Sequence, residues 1–593
     1  MHIKNKLFTA AISVGILILA CGSLKSQDIS PTVLKDHIKY LASEELTGRY
    51  PGTEGDKRAS EYIRSKFRSY GLKLQGADGF QPFEVTVKVK PGPSNAFKTG
   101  SVTGKLLTDY TPAGFSAKKE LNASVVFVGY GLQAKNDTLK WDDYTGIELK
   151  GKWCLILRGT PEISKASDIF KTGTSDRDKA MLAKDLGAAG VLLVSGNEFD
   201  KYDELISLSF KEGTIDIPVL HIKRILADAI LKSDNTSISA LELEFKKTSV
   251  HAAINLKQEV NASADVVPQI AKTENVVALL ESKDATFKNE YIVIGAHFDH
   301  LGMGGFGSGS RMPDTVAVHH GADDNASGVA SVLELAHKFS YYKDSLKRSV
   351  LFICFSAEEE GLLGSKYFAE HPVIDLKQVE AMLNVDMVGR LREDRSLQIN
   401  GTGTSLESSK IVSSLNSDSA FKLSLAPEGY GPSDHSSFYA KNIPVLFFTT
   451  GAHLDYHTPR DTWQMINYDG LKKVSDYIFK IALDLDREPG RLSFREAGPK
   501  TQETGRARMK VTLGIMPDFT STDNNGLKAD FVTPGKAAFK AGMLKGDIIV
   551  SINGKAINNI QDYMYRMSKV SQGETINVEI LRNGKKEVLI VQL

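Results

Sequence analysis

Four apolar runs in the second half of this 593-residue chain each lead into a histidine or an acidic side chain. Tyr291-Ile292-Val293-Ile294-Gly295-Ala296 ends on His297, and Leu351-Phe352-Ile353-Cys354-Phe355 runs into Glu358 and Glu359. Met382-Leu383-Asn384-Val385 ends on Asp386, and Val445-Leu446-Phe447-Phe448 precedes the loop carrying His457. Short apolar runs of this kind make buried parallel strands. Helical patterning lies between them: Ser327–Phe339 puts Val329, Val332, Leu333, Ala336 and Phe339 on one face. Strands alternating with helices predict an α/β fold, a mainly parallel sheet with helices on both faces, continuing to Leu485. In open sheets of that type ligands bind at the carboxyl ends of the strands. The four polar endings fall there.

The polar residues sit in five motifs: Ala296-His297-Phe298-Asp299-His300, Gly321-Ala322-Asp323-Asp324-Asn325-Ala326-Ser327-Gly328, Ser356-Ala357-Glu358-Glu359-Glu360-Gly361, Asn384-Val385-Asp386-Met387 and Asp455-Tyr456-His457-Thr458-Pro459. Two histidines and three carboxylates can hold two zinc ions if one carboxylate bridges, and a further acidic group is left over as a base. A lone histidine after a strand is more often structural, and a run of glutamates is usually a solvated surface. Recurrence at the same end of four separate units removes that explanation.

In this order the motifs resemble the co-catalytic two-zinc aminopeptidase family, whose relatives include glutamate carboxypeptidase, transferrin receptor and glutaminyl cyclase. The resemblance spans nearly all of residues 30–110 and 257–487. It implies two zinc ions, one held by His297 and Asp386, the other by Glu359 and His457, with Asp324 bridging. It further implies that Glu358 is the general base, that Asp299 orients the His297 ring, and that Tyr456 hydrogen-bonds a tetrahedral oxyanion. Gly431-Pro432-Ser433-Asp434-His435-Ser436-Ser437-Phe438 also looks like a family motif, with Asp434 and His435 in supporting rather than ligand positions. One departure is the Gly-rich stretch from Gly302 to Ser310, followed by His319 and His320, which lengthens the link between His297 and Asp324. His300, His319 and His320 receive no role from the resemblance.

The expected activity is that of an aminopeptidase acting on peptides. A non-catalytic binding homologue is disfavoured because every ligand and the base are present. A glutaminyl cyclase shares the ligand types but usually lacks further domains. A carboxypeptidase or dipeptidase needs a basic pocket for a substrate carboxylate, and the sequence marks none.

The remaining segments carry address and accessory units. Lys4 and Lys6 precede an apolar run from Leu7 to Ala20, so residues 1–27 read as a signal peptide. Ile18-Leu19-Ala20-Cys21 resembles a lipobox, with Cys21 as the acylated residue; cleavage near Ser26-Gln27 is the alternative. The expected location is outside the cytoplasm: periplasmic, a lipoprotein of the outer membrane, or extracellular. Net charge is +1, from 73 basic and 72 acidic residues, so nothing asks for nucleic acid, or for a membrane beyond a lipid at Cys21. Cys154 and Cys354 lie in apolar runs and read as buried free thiols.

Residues 28–110 and 257–487 are assigned to the peptidase domain and 488–507 to a linker. Residues 111–256 resemble an inserted protease-associated domain, with no ligand cluster of its own. Residues 508–593 resemble a PDZ domain of the bacterial protease type, β-rich with two short helices. That resemblance implies a Leu513-Gly514-Ile515 turn facing a peptide carboxylate, with the peptide adding as a strand.

Overall fold

Alternation of side chains decides how the central strands sit. In the computed structural model these are β1 (Val266–Leu280), β2 (Tyr291–His297), β3 (Ser349–Phe355), β4 (Val379–Val385), β5 (Ser396–Asn400) and β6 (Val445–Thr449). The structure describes residues 28–135, 140–161, 170, 174–209, 212–248, 253–497, 511–517, 525–533 and 535–593. Along β3, Val350, Phe352 and Cys354 join the core on one face, while Leu351, Ile353 and Phe355 join the core on the other. A strand apolar on both faces needs cover on both. It comes on one side from α1 (Gly328–Ser340) and α3 (Tyr468–Arg487), and on the other from α2 (Leu363–Glu370). Burying each large side chain of the α1 stripe, such as Leu333 or Phe339, contributes about 1.5–3 kcal/mol.

These six are ordered β1-β3-β2-β4-β6-β5 in a sheet of nine strands among the described residues; Lys73–Leu74 and Phe80–Pro91 pair with β1, and Lys422–Ala426 runs parallel beside β5. The middle four strands are parallel, as expected. Both flanks are antiparallel: β1 pairs antiparallel with β3, and β5 with β6. Register then places the polar endings. Gly295 of β2 pairs with Asn384 of β4, so two residues further on His297 and Asp386 stand level at the carboxyl edge. His297 pairs with Phe355, the last residue before the turn that presents Glu358 and Glu359.

A second sheet of eight strands draws on residues 96–264, with Trp153–Leu157 and Gly190–Val194 parallel at its centre. Its outer strands Ala96–Thr99 and Ile254–Ala264 thus start before residue 111 and end after 256. Cys154 and Cys354 are free and buried.

Residues 488–497, inside the stretch read as a linker, pack on the first sheet's domain: Arg495 N–H donates to Thr404 O at 2.8 Å and Ala497 N–H to Tyr439 Oη at 2.9 Å. The C-terminal unit is a six-stranded sheet with two short helices. One of them, α4 (Ile560–Met567), lies against the inserted unit. Tyr565 enters that unit's core, Arg177 Nη2 sits 2.7 Å from Asp562 Oδ1, and Arg566 Nη2 sits 2.8 Å from Asp185 Oδ1.

Candidate active site

Asp324 lies at the centre of the site. The chain there turns irregularly just before α1, with Asp324 at φ −106° and ψ 94°, outside helical geometry. Its Oδ1 is 3.3 Å from His297 Nε2, and its Oδ2 is 3.1 Å from His457 Nε2. His297 Nε2 also lies 3.4 Å from Asp386 Oδ1, and His457 Nε2 lies 3.1 Å from Glu359 Oε2. The five sequence-predicted ligands are therefore gathered as two triads that share Asp324. Glu358 stands beside them, its Oε2 3.9 Å from His297 Nε2.

These donors suit zinc. Tetrahedral zinc with bonds of roughly 2.0–2.1 Å sets neighbouring donors about 3.3 Å apart, close to the spacing seen. Asp386 Oδ1 and His457 Nε2 are buried and have no hydrogen-bond partner among the described residues. Burying polar atoms with nothing to bind is costly, and a cation would satisfy both.

The supporting contacts add to the sequence reading. Asp299 was expected to orient His297. Its carboxylate also accepts the backbone N–H groups of Glu358, at 3.0 Å, and Glu359, at 3.2 Å. The His297 ring lies 3.3 Å from the Asp299 backbone carbonyl and 3.7 Å from its carboxylate. Asp299 thus holds the turn under both glutamates and lies against the His297 ring with both its backbone carbonyl and its carboxylate.

Three contacts escaped sequence reasoning. Gly309, in the Gly-rich stretch, turns its carbonyl to His457 Nδ1 at 3.2 Å. Asp461 Oδ2 accepts the N–H groups of Asp323, at 2.9 Å, and Asp324, at 3.1 Å, and so sets the turn that carries the shared carboxylate. His300 Nδ1 lies 2.8 Å from Glu359 Oε1. The prior signals were the Gly-rich stretch itself, a carboxylate four residues after His457 and a histidine three after His297.

Asp434 and His435 are buried and belong to neither triad. The His435 ring stacks on Phe447 with centroids 4.5 Å apart, and burial holds it neutral, with a pKa of about 3. Ser433, just before them, donates to Asp386 Oδ2 at 2.8 Å. Arg49 is fully buried and braces the two loops, donating to the carbonyls of Phe298, His320 and Gly321.

Residues 275–482, the segment that holds every one of these donors, match the model of Peptidase family M28. This segment, about a third of the chain, is similar to that family. Residues 102–230 match the PA domain and 513–593 the PDZ domain. The chain is 25% identical over 451 residues to Aminopeptidase YwaD of Bacillus subtilis (strain 168), covering 74% of this chain and 81% of that protein. It is 25% identical over 362 residues to an Aminopeptidase of Pseudomonas aeruginosa (strain UCBPP-PA14), covering 59% of this chain and about half, 56%, of the relative. Among solved structures, an aminopeptidase from Aneurinibacillus sp. strain AM-1 superposes with a TM-score of 0.49 at 24% identity, covering 80% of this chain and 97% of that one.

Charge in the M28 site is strongly unbalanced. Burial opposes a charged His457, yet the Glu359 charge prevails and lifts its pKa to about 11. His297 is likewise raised well above its ordinary value, by Glu358 and Asp386 against the effect of burial. Glu359 is pushed up by burial and by Asp324, but His457 and His300 outweigh them and bring it to about 2. Glu358 differs: burial raises it well above the carboxylate range, against the pull of His297. A carboxylate with raised proton affinity suits a general base.

The site opens into a cleft of about 620 Å³. Leu362, Met387, Tyr430, Pro432 and Phe447 supply apolar walls, and Gln398, Asn400 and Thr449 supply polar groups. The Tyr456 ring stacks on His457, centroids 3.9 Å apart, and also lines the cleft.

Proposed function

We propose that the chain is an exported aminopeptidase that uses two zinc ions to remove N-terminal residues from peptides. The observation that carries this reading is the sharing of Asp324 between two imidazole-carboxylate triads, with Glu358 alongside and lining the same cleft. Of the known names among its relatives, aminopeptidase recurs, which supports the choice of reaction.

In this reading His297 and Asp386 hold one ion, Glu359 and His457 the other, and Asp324 both. Zinc in such a donor set acidifies water and polarises a carbonyl. Glu358 takes the proton of the attacking water and passes it to the departing amine, a task matched to its raised proton affinity. Burial and the surrounding carboxylates keep the Tyr456 phenol protonated, so it stands as a donor for negative charge developing on the carbonyl oxygen. The walls of Leu362, Tyr430 and Phe447 receive the side chain of the residue being released. A carboxypeptidase would need a cation for the substrate carboxylate. Lys366 is the one lysine lining the cleft, and its Nζ donates to the Gly361 carbonyl at 3.0 Å.

Two further parts complete the proposal. Export rests on the signal-like run that ends at Cys21, a residue outside those the structure describes. A peptide C-terminus in the PDZ groove is supported by Ile515–Pro517, which continues from the Leu513-Gly514-Ile515 turn, starting at its last residue, and forms an edge of its sheet. Incubation with matched free and N-acetylated peptides, read by mass spectrometry, tests the main reading. Stepwise loss of N-terminal residues from free peptides alone is expected; trimming from the C-terminus, or of blocked peptides, would rule it out.

A further inference from the structure

We infer that His300 is a positioning residue of the second metal site: its Nδ1–H holds Glu359 by Oε1 and so turns Oε2 toward the cation. This rests on the two-metal reading above.

The carboxylate of Glu359 is addressed from two sides. Oε1 lies 2.8 Å from His300 Nδ1, and Oε2 lies 3.1 Å from His457 Nε2. An ionised carboxylate can only accept, so the hydrogen of the first contact sits on Nδ1. A ring nitrogen that carries a proton has no lone pair to give a cation. The 2.8 Å contact is also shorter than the 3.1–3.4 Å between the donors that share a site. The next oxygen, Asp324 Oδ2, is 3.8 Å from Nδ1, beyond a hydrogen bond.

The ring has no freedom to do otherwise. It is 0% exposed, and its backbone N–H donates to Arg49 O at 3.3 Å. Gly321 packs flat on it: a Cβ there would fall 2.6 Å from His300 Cγ, so this position admits no side chain. On the other side the His457 ring meets it edge-on, with centroids 5.7 Å apart. Nε2 is buried without a hydrogen-bond partner among the described residues, so the one polar contact of this ring is the one to Glu359 and its neighbours. A buried imidazole held this tightly, with a single directed bond to a ligand oxygen, fixes which oxygen the ligand presents.

Substitution separates positioning from direct ligation. Asparagine places an amide N–H close to where Nδ1–H stands but lacks the ring; leucine fills the space and donates nothing. Zinc-loaded full-length wild type, His300→Asn and His300→Leu are titrated with a chelator of known affinity, and zinc retained per chain is measured. Wild type should hold two ions. His300→Leu should release one of them at roughly 10–100-fold weaker chelation, the range for losing a partner of a ligand, with the other ion unaffected. His300→Asn should stay within a few-fold of wild type.

If both variants lose the ion equally, His300 is a ligand and the inference is overturned. It is overturned too if His300→Leu retains both ions like wild type. A wild type that holds one ion overturns the two-metal reading itself, and with it the role given to His300. Circular dichroism of the metal-free forms checks folding, and His300→Ala replaces the leucine variant if that one does not fold.

Discussion

Two adjacent glutamates are given different tasks in the proposed mechanism because the turn after β3 points them to different neighbours. Glu359 meets His457, and Glu358 meets the cleft and His297. Glu358→Gln should lower kcat by about 10²–10⁴-fold, the usual worth of a general base, and keep its full metal content. Glu359→Gln should instead lose zinc from one site. Metal analysis beside kcat decides this, and the opposite pattern would exchange their roles. Proton linkage gives a second expectation. His457, lifted to about 11, and His297, raised as well, both bind protons at neutral pH until a metal displaces them. Zinc uptake near pH 7 should therefore release about two protons, and apparent affinity should fall steadily as pH falls below 11. Calorimetry in buffers of different ionisation enthalpy measures the number; no release would contradict the charges assigned. The cluster of candidate donors was legible because strand ends concentrate such residues in short motifs. Gly309, Asp461 and the hold of Asp299 on the glutamate turn were not, since each acts through backbone groups that no residue type announces.

Among the elements, the middle of the first sheet could be read in advance and its edges could not. β2, β3, β4 and β6 are apolar on both faces, a pattern that parallel central strands require. β1 has a mixed pattern and pairs with Phe80–Pro91, far away in the chain, so no local signal fixed its direction. The second sheet's ends were obscured for a similar reason: Ala96–Thr99 pairs with Ile254–Ala264 across more than a hundred and fifty residues. The Gly-rich stretch is the element whose purpose emerged only in three dimensions. Gly309 has φ +91°, a conformation costly for residues with a Cβ, and its carbonyl meets His457. Gly309→Ala should strain the loop by about 1–2 kcal/mol, lower the thermal midpoint of the metal-free form by a few degrees, and weaken zinc retention at the His457 site. Unaltered retention would mean that the carbonyl contact does not orient the ring.

For the whole molecule, the three units are less independent than their sequence suggests. Residues 488–497 belong with the M28 domain, and α4 fastens the PDZ domain to the PA domain through Tyr565, Arg177–Asp562 and Arg566–Asp185. Arg566→Ala leaves Asp185 without its main cation and should weaken this docking by about 1–3 kcal/mol. Small-angle scattering should then show a larger radius of gyration, with turnover of a small chromogenic substrate maintained. A change in turnover without a change in shape would mean that Arg566 acts on the site by another route. The account as a whole turns on Asp324 joining two metal sites, one built on His297 and Asp386 and the other on His457 and Glu359. Anomalous diffraction from zinc-soaked crystals, collected on both sides of the zinc absorption edge, tests it most directly. Two peaks are predicted, one on each side of the Asp324 carboxylate; a single peak, or a pair that does not share Asp324, would contradict it.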